Sequence, residues 1–220
     1  MRPQSVEDDT RQRLLDAAEA LFAECGFAST SLRAITGLAK ANLAAINYHF
    51  GSKDELIRAV FARRLQPLNA ERLMQLAALE ASGRPLTVEE VLAAFIEPSL
   101  RLQLEGVQGA RFTRLLGRAQ TEASESLHEF LRDHYAPVMV RFQQTLARIL
   151  PQLSAEELTW RLQFTLGVLL VTYGGVLLPR APFISQSPQD AEWFLRRLIL
   201  FLAAGLRAPP TPQVLAETAT

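Results

Sequence analysis

Three times along this chain a Ser or Thr stands three residues ahead of a Glu and opens an apolar run with helical spacing: Ser52 with Glu55, Thr87 with Glu90, and Ser154 with Glu157. In such a capping box the hydroxyl accepts from the backbone N–H three residues on, while the carboxylate reaches back, so each pair marks a helix start. Ser187 followed by Pro188 marks a fourth, because proline suits the first helical position. There is no period-2 run of useful length and no internal repeat, so the expected fold class is all-α.

The first sixty residues predict a small head. From Thr10 to Glu24 the residues Leu14, Leu15, Ala18, Leu21 and Phe22 recur on one helical face, and Gly26 supplies a left-handed stop. Thr30 or Ser31 caps a second helix through about Ala39, with Leu32, Ile35 and Leu38 facing inward. A third helix is expected from about Asn42 to His49, with Ile46 and Phe50 in the head core. The Ser52 cap then launches a long fourth helix through Leu56, Val60, Phe61 and Leu65, which Pro67 should kink or interrupt. Residues 81 to 86 and 179 to 188 are expected loops. The organisation is a helix-turn-helix domain over 1–55, a larger helical domain of about five more helices over 56–207, and a frayed tail over 208–220.

A balance of 23 basic and 23 acidic residues argues against a polycationic DNA coater. Locally the picture differs. Between Ala28 and Arg64 stand Arg33, Lys40, Lys53, Arg58, Arg63 and Arg64 against Asp54 and Glu55, which concentrates positive charge around the second and third helices. The single cysteine, Cys25, excludes an internal disulfide and, between Phe22 and Phe27, is expected to pack in the core. The acidic N-terminus lacks a secretory pattern, and the nearly apolar stretch Phe164 to Leu178 falls short of the roughly 20 residues a membrane span needs. A cytoplasmic location without membrane association is therefore expected.

Catalysis is poorly supported. His128 and His134, six apart, fall on different helical faces, no carboxylate pattern completes a metal site, and Cys25 has no base nearby in sequence. No catalytic residue, metal or cofactor is expected.

The third helix has the chemistry of a groove reader. Leu43, Ala44 and Asn47 share one face: Ala44 permits close approach, Leu43 suits thymine methyls, and Asn47 can pair bidentately with adenine. Asn42 stands where it caps that helix or touches DNA. Tyr48, His49 and Lys53 offer a hydroxyl, an imidazole and an ammonium to phosphate oxygens, as do Arg33, Thr30 and Ser31 at the second helix. Ser52 reads more readily as a cap than as a phosphate contact.

In their order these residues resemble the head of the TetR family of bacterial transcriptional regulators. The resemblance rests on Cys25-Gly26-Phe27, on Thr30-Ser31-Leu32-Arg33-Ala34-Ile35, and on Asn47-Tyr48-His49-Phe50 with Lys53, and covers residues 10 to 60 or so. It implies a homodimer that represses, or less often activates, from a palindromic double-stranded operator, and that releases DNA when a small ligand enters the C-terminal domain. Residues 42 to 53, and more loosely 158 to 175, resemble a subgroup that regulates fatty-acid metabolism, which implies a fatty acid or acyl-CoA ligand. The chain departs from the family at the turn, where Lys40 replaces the usual glycine and must adopt a left-handed conformation. Gly37 lies inside the second helix instead, and Leu43 and Asn47 stand where Lys or Ser and a first Tyr are common.

The C-terminal part carries two further expectations. Phe95, Leu102, Phe112, Leu116, Met139, Phe142 and Phe164 supply an apolar ligand pocket, and Arg111, Arg114 and Arg118 form a basic stripe suited to a carboxylate or a coenzyme A phosphate. The helices at about 154–178 and 188–206 are too apolar to be solvated on one side. Leu162, Leu166, Gly167, Gly174, Phe194, Leu198 and Phe201 are therefore assigned to a dimer interface built as a four-helix bundle. The rival reading is a ligand-binding interaction module without DNA binding, to which Lys40 in the turn is the pointer.

Overall fold

A computed structural model of the protein describes residues 3–104, 106–174 and 188–210. Among them are nine α-helices and no strand: α1 (Pro3–Cys25), α2 (Leu32–Ala39), α3 (Leu43–His49), α4 (Lys53–Ala81), α5 (Val88–Leu104), α6 (Val107–Glu122), α7 (Glu125–Ile149), α8 (Ala155–Gly174) and α9 (Pro188–Arg207). The cap residues act as their spacing predicts. Ser31 Oγ accepts from Ala34 N at 3.1 Å, Ser52 Oγ from Glu55 N at 3.1 Å and Ser154 Oγ from Glu157 N at 3.1 Å. At Thr87 both arms of the box close, with Glu90 N donating to Thr87 Oγ1 at 3.2 Å and Thr87 N to Glu90 at 2.9 Å.

Two apolar cores hold the helices together. The first joins Leu14, Phe22, Phe27, Ile35, Ile46, Leu56, Phe61 and Leu65 of the head to Phe112, Leu115, Leu127 and Leu131 of α6 and α7. The second joins Leu76 of α4 to Val91, Ile96, Phe142, Leu146, Leu162, Leu198 and Leu202 of α5 and α7 to α9. Helix α4 contributes to both. The expected division at residue 55 therefore falls on a continuous helix, and α1 packs directly on α6.

Four expectations are corrected. Helix α1 begins at Pro3 and not at Thr10. Helix α4 runs unbroken through Pro67, which is exposed and leaves the Arg63 carbonyl without its helical N–H partner, a loss the packing of α4 in both cores outweighs. Leu38 is 56% exposed, because α2 packs through Ile35, Thr36 and Ala39. Cys25 is also exposed: α1 ends there and the chain doubles back at Gly26, so Phe27 fills the core against Phe22 and Phe61, with ring centroids 5.6 and 6.1 Å away. The expected loop at 179–187 and the tail beyond 210 lie outside the described residues.

Candidate nucleic-acid interface and ligand cavity

The turn between α2 and α3 takes the form that Lys40 demands. Its φ of 51° and ψ of 47° are left-handed, and it is the one non-glycine residue with positive φ among the described residues. Its N–H closes on Gly37 O at 3.3 Å, and Ala41 N on Thr36 O at 3.0 Å, which ends α2 and aims the chain into α3. Asn42 resolves as a cap, its side-chain oxygen accepting from Ala45 N at 2.9 Å. That leaves α3 anchored on one side by the fully buried Ile46, with Leu43, Ala44 and Asn47 exposed on the other.

At the far end of α3, Tyr48 is 73% exposed and its ring meets His49 edge-on at 5.0 Å, while Phe50 packs on the head core. Lys53 follows as the first residue of α4, and Arg33 lies exposed on α2. Ser31 and Ser52 are exposed but occupied as caps. Thr30 departs from the expected role: it is 3% exposed, and its hydroxyl donates to Gly26 O at 2.7 Å, so it ties the turn after α1 instead of facing a phosphate.

The local charge is smaller than the segment count implies. Arg63 pairs with Asp16 at 2.6 Å, and both Arg63 and Arg64 pair with Glu19, which is 2% exposed. Arg58 pairs with Glu55 at 2.5 Å. Those acids lie on α1 or within α4, so three of the six cations are spent inside the protein. Arg33, Lys40 and Lys53 remain for phosphate contact.

A cavity of about 370 Å³ opens between α4, α5, α6, α7 and α8. Phe95, Leu102, Phe112, Leu116 and Met139 line it, and Leu166 joins them from α8. Phe142 lies deeper, beside a separate small void. Phe164 is outside, 65% exposed and stacked near Trp160. Arg111 and Arg114 are also outside: Arg111 lies 3.6 Å from Glu24 and Arg114 is exposed, because that edge of α6 faces α1 and solvent.

Sequence reasoning missed the polar side of this cavity. Arg72 lines it at 4% exposure, with Ser99, Thr113, Gln120, His128, Arg132 and Tyr135. A signal existed, since Arg72 sits four residues after Leu68 and four before Leu76, in the register of core positions. Burial pushes the Tyr135 phenol pKa up, so its hydroxyl stays protonated.

The residues assigned to a dimer surface divide. Leu162 and Leu198 are buried in the protomer's own second core, Phe194 packs against it, and Leu166 faces the cavity. Gly167 and Phe201 are exposed; Gly174 closes α8, and its surroundings lie outside the described residues. These helices are apolar on two faces, and spacing alone did not separate the inner from the outer. The outer face carries Trp160, Phe164, Val171, Trp193, Leu200 and Phe201.

Comparison with known proteins decides what this arrangement belongs to. Residues 14–60 match the model of the N-terminal domain of bacterial regulatory proteins of the TetR family, and residues 93–205 match the tetracycline-repressor-like C-terminal domain. The chain belongs to the TetR family. This TetR-family protein is accordingly a DNA-binding transcriptional regulator and not an enzyme. It is 48% identical over 60 residues to the nicotine-responsive repressor HdnoR of Paenarthrobacter nicotinovorans, a match spanning 27% of this chain and 31% of that repressor. The structure of SmeT, repressor of the Stenotrophomonas maltophilia multidrug efflux pump SmeDEF, is similar with a TM-score of 0.59 and 25% identity, covering 88% of this chain and 91% of SmeT. The fatty acid degradation regulator FadR of Bacillus halodurans shares the fold with a TM-score of 0.60 over 90% of this chain and 96% of its own, at 18% identity. That likeness concerns the fold alone, so the fatty-acid subgroup remains a resemblance. Among the described residues no three His, Cys, Asp or Glu side chains cluster as metal ligands, and no helix is long and apolar enough to cross a membrane.

Proposed function

We propose that two copies of this chain hold a palindromic operator as a homodimer in the cytoplasm, and that a small, mostly apolar ligand entering the cavity releases the DNA. The observation that carries the reading is the course of α4. Capped at Ser52 beside the groove-reading helix, it presents Leu68 and Arg72 to the cavity, so whatever widens the cavity levers the head. Leu43, Ala44 and Asn47 read base edges, while Arg33, Tyr48, His49 and Lys53 hold phosphates and Lys40 shapes the turn. Two heads must lie roughly 34 to 36 Å apart to enter successive major grooves. A ligand acts only through its preference between the two states. An acyl chain suits the apolar walls, whereas a whole acyl-coenzyme A exceeds the cavity.

Selection of bound fragments from genomic DNA, followed by gel shift, tests the regulator reading. Enrichment of a palindrome whose binding weakens steeply with salt is expected. If no fragment is enriched over bulk DNA, the chain is the interaction module instead.

A further inference from the structure

The polar groups of the cavity are sorted by position. Asn69 Nδ2 donates to His134 O at 2.9 Å, which fixes its amide so that Oδ1 accepts from Arg72 Nη1 at 3.0 Å. Arg72 Nε donates to Phe95 O at 2.9 Å, and the guanidinium lies 4.1 Å from the centre of the Phe95 ring. Thus α4, α5 and α7 together lock one buried guanidinium in place. Its Nη2 donates to Ser99 Oγ at 2.6 Å, and the Tyr135 ring stands beside it, its centre 5.9 Å from the guanidinium carbon. A hydroxyl oxygen that accepts from a guanidinium directs its own proton elsewhere. For Ser99, which lines the cavity, the open direction is the cavity itself, and Tyr135 lines it beside the same guanidinium.

The opposite end is marked by His128, seven residues before Tyr135 and so about 10 Å away along α7 at 1.5 Å per residue, and by Gln120 of α6, whose neighbour Ala119 is hydrogen-bonded to the His128 ring; Arg132 lies between, one turn from Tyr135. The apolar walls are Leu68, Leu102, Phe112, Leu116, Leu131 and Met139. A volume of about 370 Å³ is that of roughly twelve waters of liquid, which suits a compact ligand body.

Resting on the regulator reading above, we infer that the effector is a compact apolar acid whose carboxylate accepts hydrogen bonds from the hydroxyls of Ser99 and Tyr135 in front of Arg72. The apolar body, a ring system or a medium-length chain, fills the space toward Gln120 and His128. The two hydroxyls and the guanidinium behind them sit on three different helices, so an oxyanion placed there draws α5 and α7 toward the Arg72 charge on α4 and ties ligand occupancy to the position of α4. The basic stripe of α6 plays no part, since Arg111 and Arg114 do not line the cavity.

The test pairs acids with neutral isosteres on the full-length chain: decanoate against decan-1-ol, and 2-naphthoate against 2-naphthylmethanol, by isothermal titration. Each acid should bind at least about tenfold more tightly than its alcohol, as a charge-assisted hydrogen-bond set requires. Tyr135→Phe and Ser99→Ala should each narrow that ratio about fivefold, whereas a variant that merely loosened the fold would weaken acid and alcohol alike and leave the ratio unchanged. Arg114→Gln should leave the ratio at its wild-type value. Equal affinity for acid and alcohol, no binding of any of the four probes, or an unaltered ratio in both variants overturns the inference. Operator binding measured in the same samples separates the two readings: if it persists, only the ligand class has failed; if it is absent, the regulator reading fails too.

Discussion

The backbone N–H of Phe27, in the turn after α1, donates to the carboxylate of Glu122, in the last turn of α6, 3.2 Å away and 95 residues on in sequence. Arg118 sits beside it, paired with Glu122 at 2.6 Å and donating to the carbonyls of Ala23 and Glu24 at 3.1 and 3.0 Å. Those carbonyls belong to the end of α1, which a helix cannot satisfy internally. Gly26, at φ +85°, makes the fit possible: a Cβ there would lie 2.4 Å from the Glu122 carboxylate. The same helix α6 turns Phe112, Leu116 and Gln120 toward the cavity, so one element touches both the ligand space and the end of α1.

If that clamp transmits occupancy, Glu122→Ala should uncouple the sites without abolishing either. Ligand affinity and operator affinity should each stay within a few-fold of wild type, while the ligand's effect on operator binding falls from an expected 5–150-fold toward none. Anisotropy of labelled operator with and without ligand reads this directly. Undiminished release in Glu122→Ala would place the transmission in α4 alone.

The left-handed Lys40 carries strain that its sequence position already announced, and nothing in the structure gives its side chain a compensating contact among the described residues. Lys40→Gly should therefore stabilise the head by about 1 kcal/mol. Gly37, with open space where a Cβ would stand, should gain a similar amount on Gly37→Ala. Thermal unfolding should rise by about 3 °C for each; a drop in either would mean that the turn needs its present residue for packing.

These positions also show what was legible in the chain. Caps at Ser31, Ser52, Thr87 and Ser154 and the strained turn are local, set by residues within four of one another, and sequence spacing reads them. The pairing of Arg63 and Arg64 with Glu19 spans 44 and 45 residues and was invisible to a count over one segment. Arg72 needed three helices to assemble around it before its place in the cavity had meaning. On α8 and α9 the apolar residues outnumber any single face, and only packing decides that Leu162 and Leu198 point in while Phe164 and Phe201 point out.

Base reading and phosphate holding should separate in titration. Arg33→Ala and Lys53→Ala should weaken binding to all sequences alike and each lower the salt slope by about 1 per head. Asn47→Ala should instead cost about 1–3 kcal/mol at one operator position and relax the preference there, with the slope unchanged. Selection from randomised operators at two salt concentrations checks both. Equal losses on every sequence for Asn47→Ala would remove it from base recognition.

Acid should loosen the start of α5. The Arg84 side chain, then the Thr87 N–H, hold the Glu90 carboxyl down at about 2, below the ordinary 4.5. Since the folded value is depressed, the stabilisation is complete above pH 4.5 and is lost as pH falls toward 2. Glu80 and Glu89 shift in the same direction, Glu80 chiefly through Thr145 and Glu89 through Arg207. Unfolding midpoints of wild type and Glu90→Gln should differ most above pH 4.5 and converge toward pH 2. A constant gap across that range would assign the effect to the capping geometry and not to charge.

The exposed apolar residues of α8 and α9 make the last prediction. Trp160, Phe164 and Val171 lie along one side of α8, and Leu200 and Phe201 on α9, each about half or more exposed in the single protomer. Contiguous apolar surface of this kind marks a contact face, and a two-fold pairing would bury it as a four-helix bundle. Phe201→Asp should leave the protomer folded but monomeric by sedimentation. It should also reduce operator affinity by two orders of magnitude or more, because one head then lacks its tethered neighbour. Leu198→Asp, only three residues earlier but 8% exposed in the protomer's own core, should fail to fold. The contrast between the two separates an interface from a core. A dimer in Phe201→Asp at micromolar concentration would move the two-fold contact elsewhere on the protein.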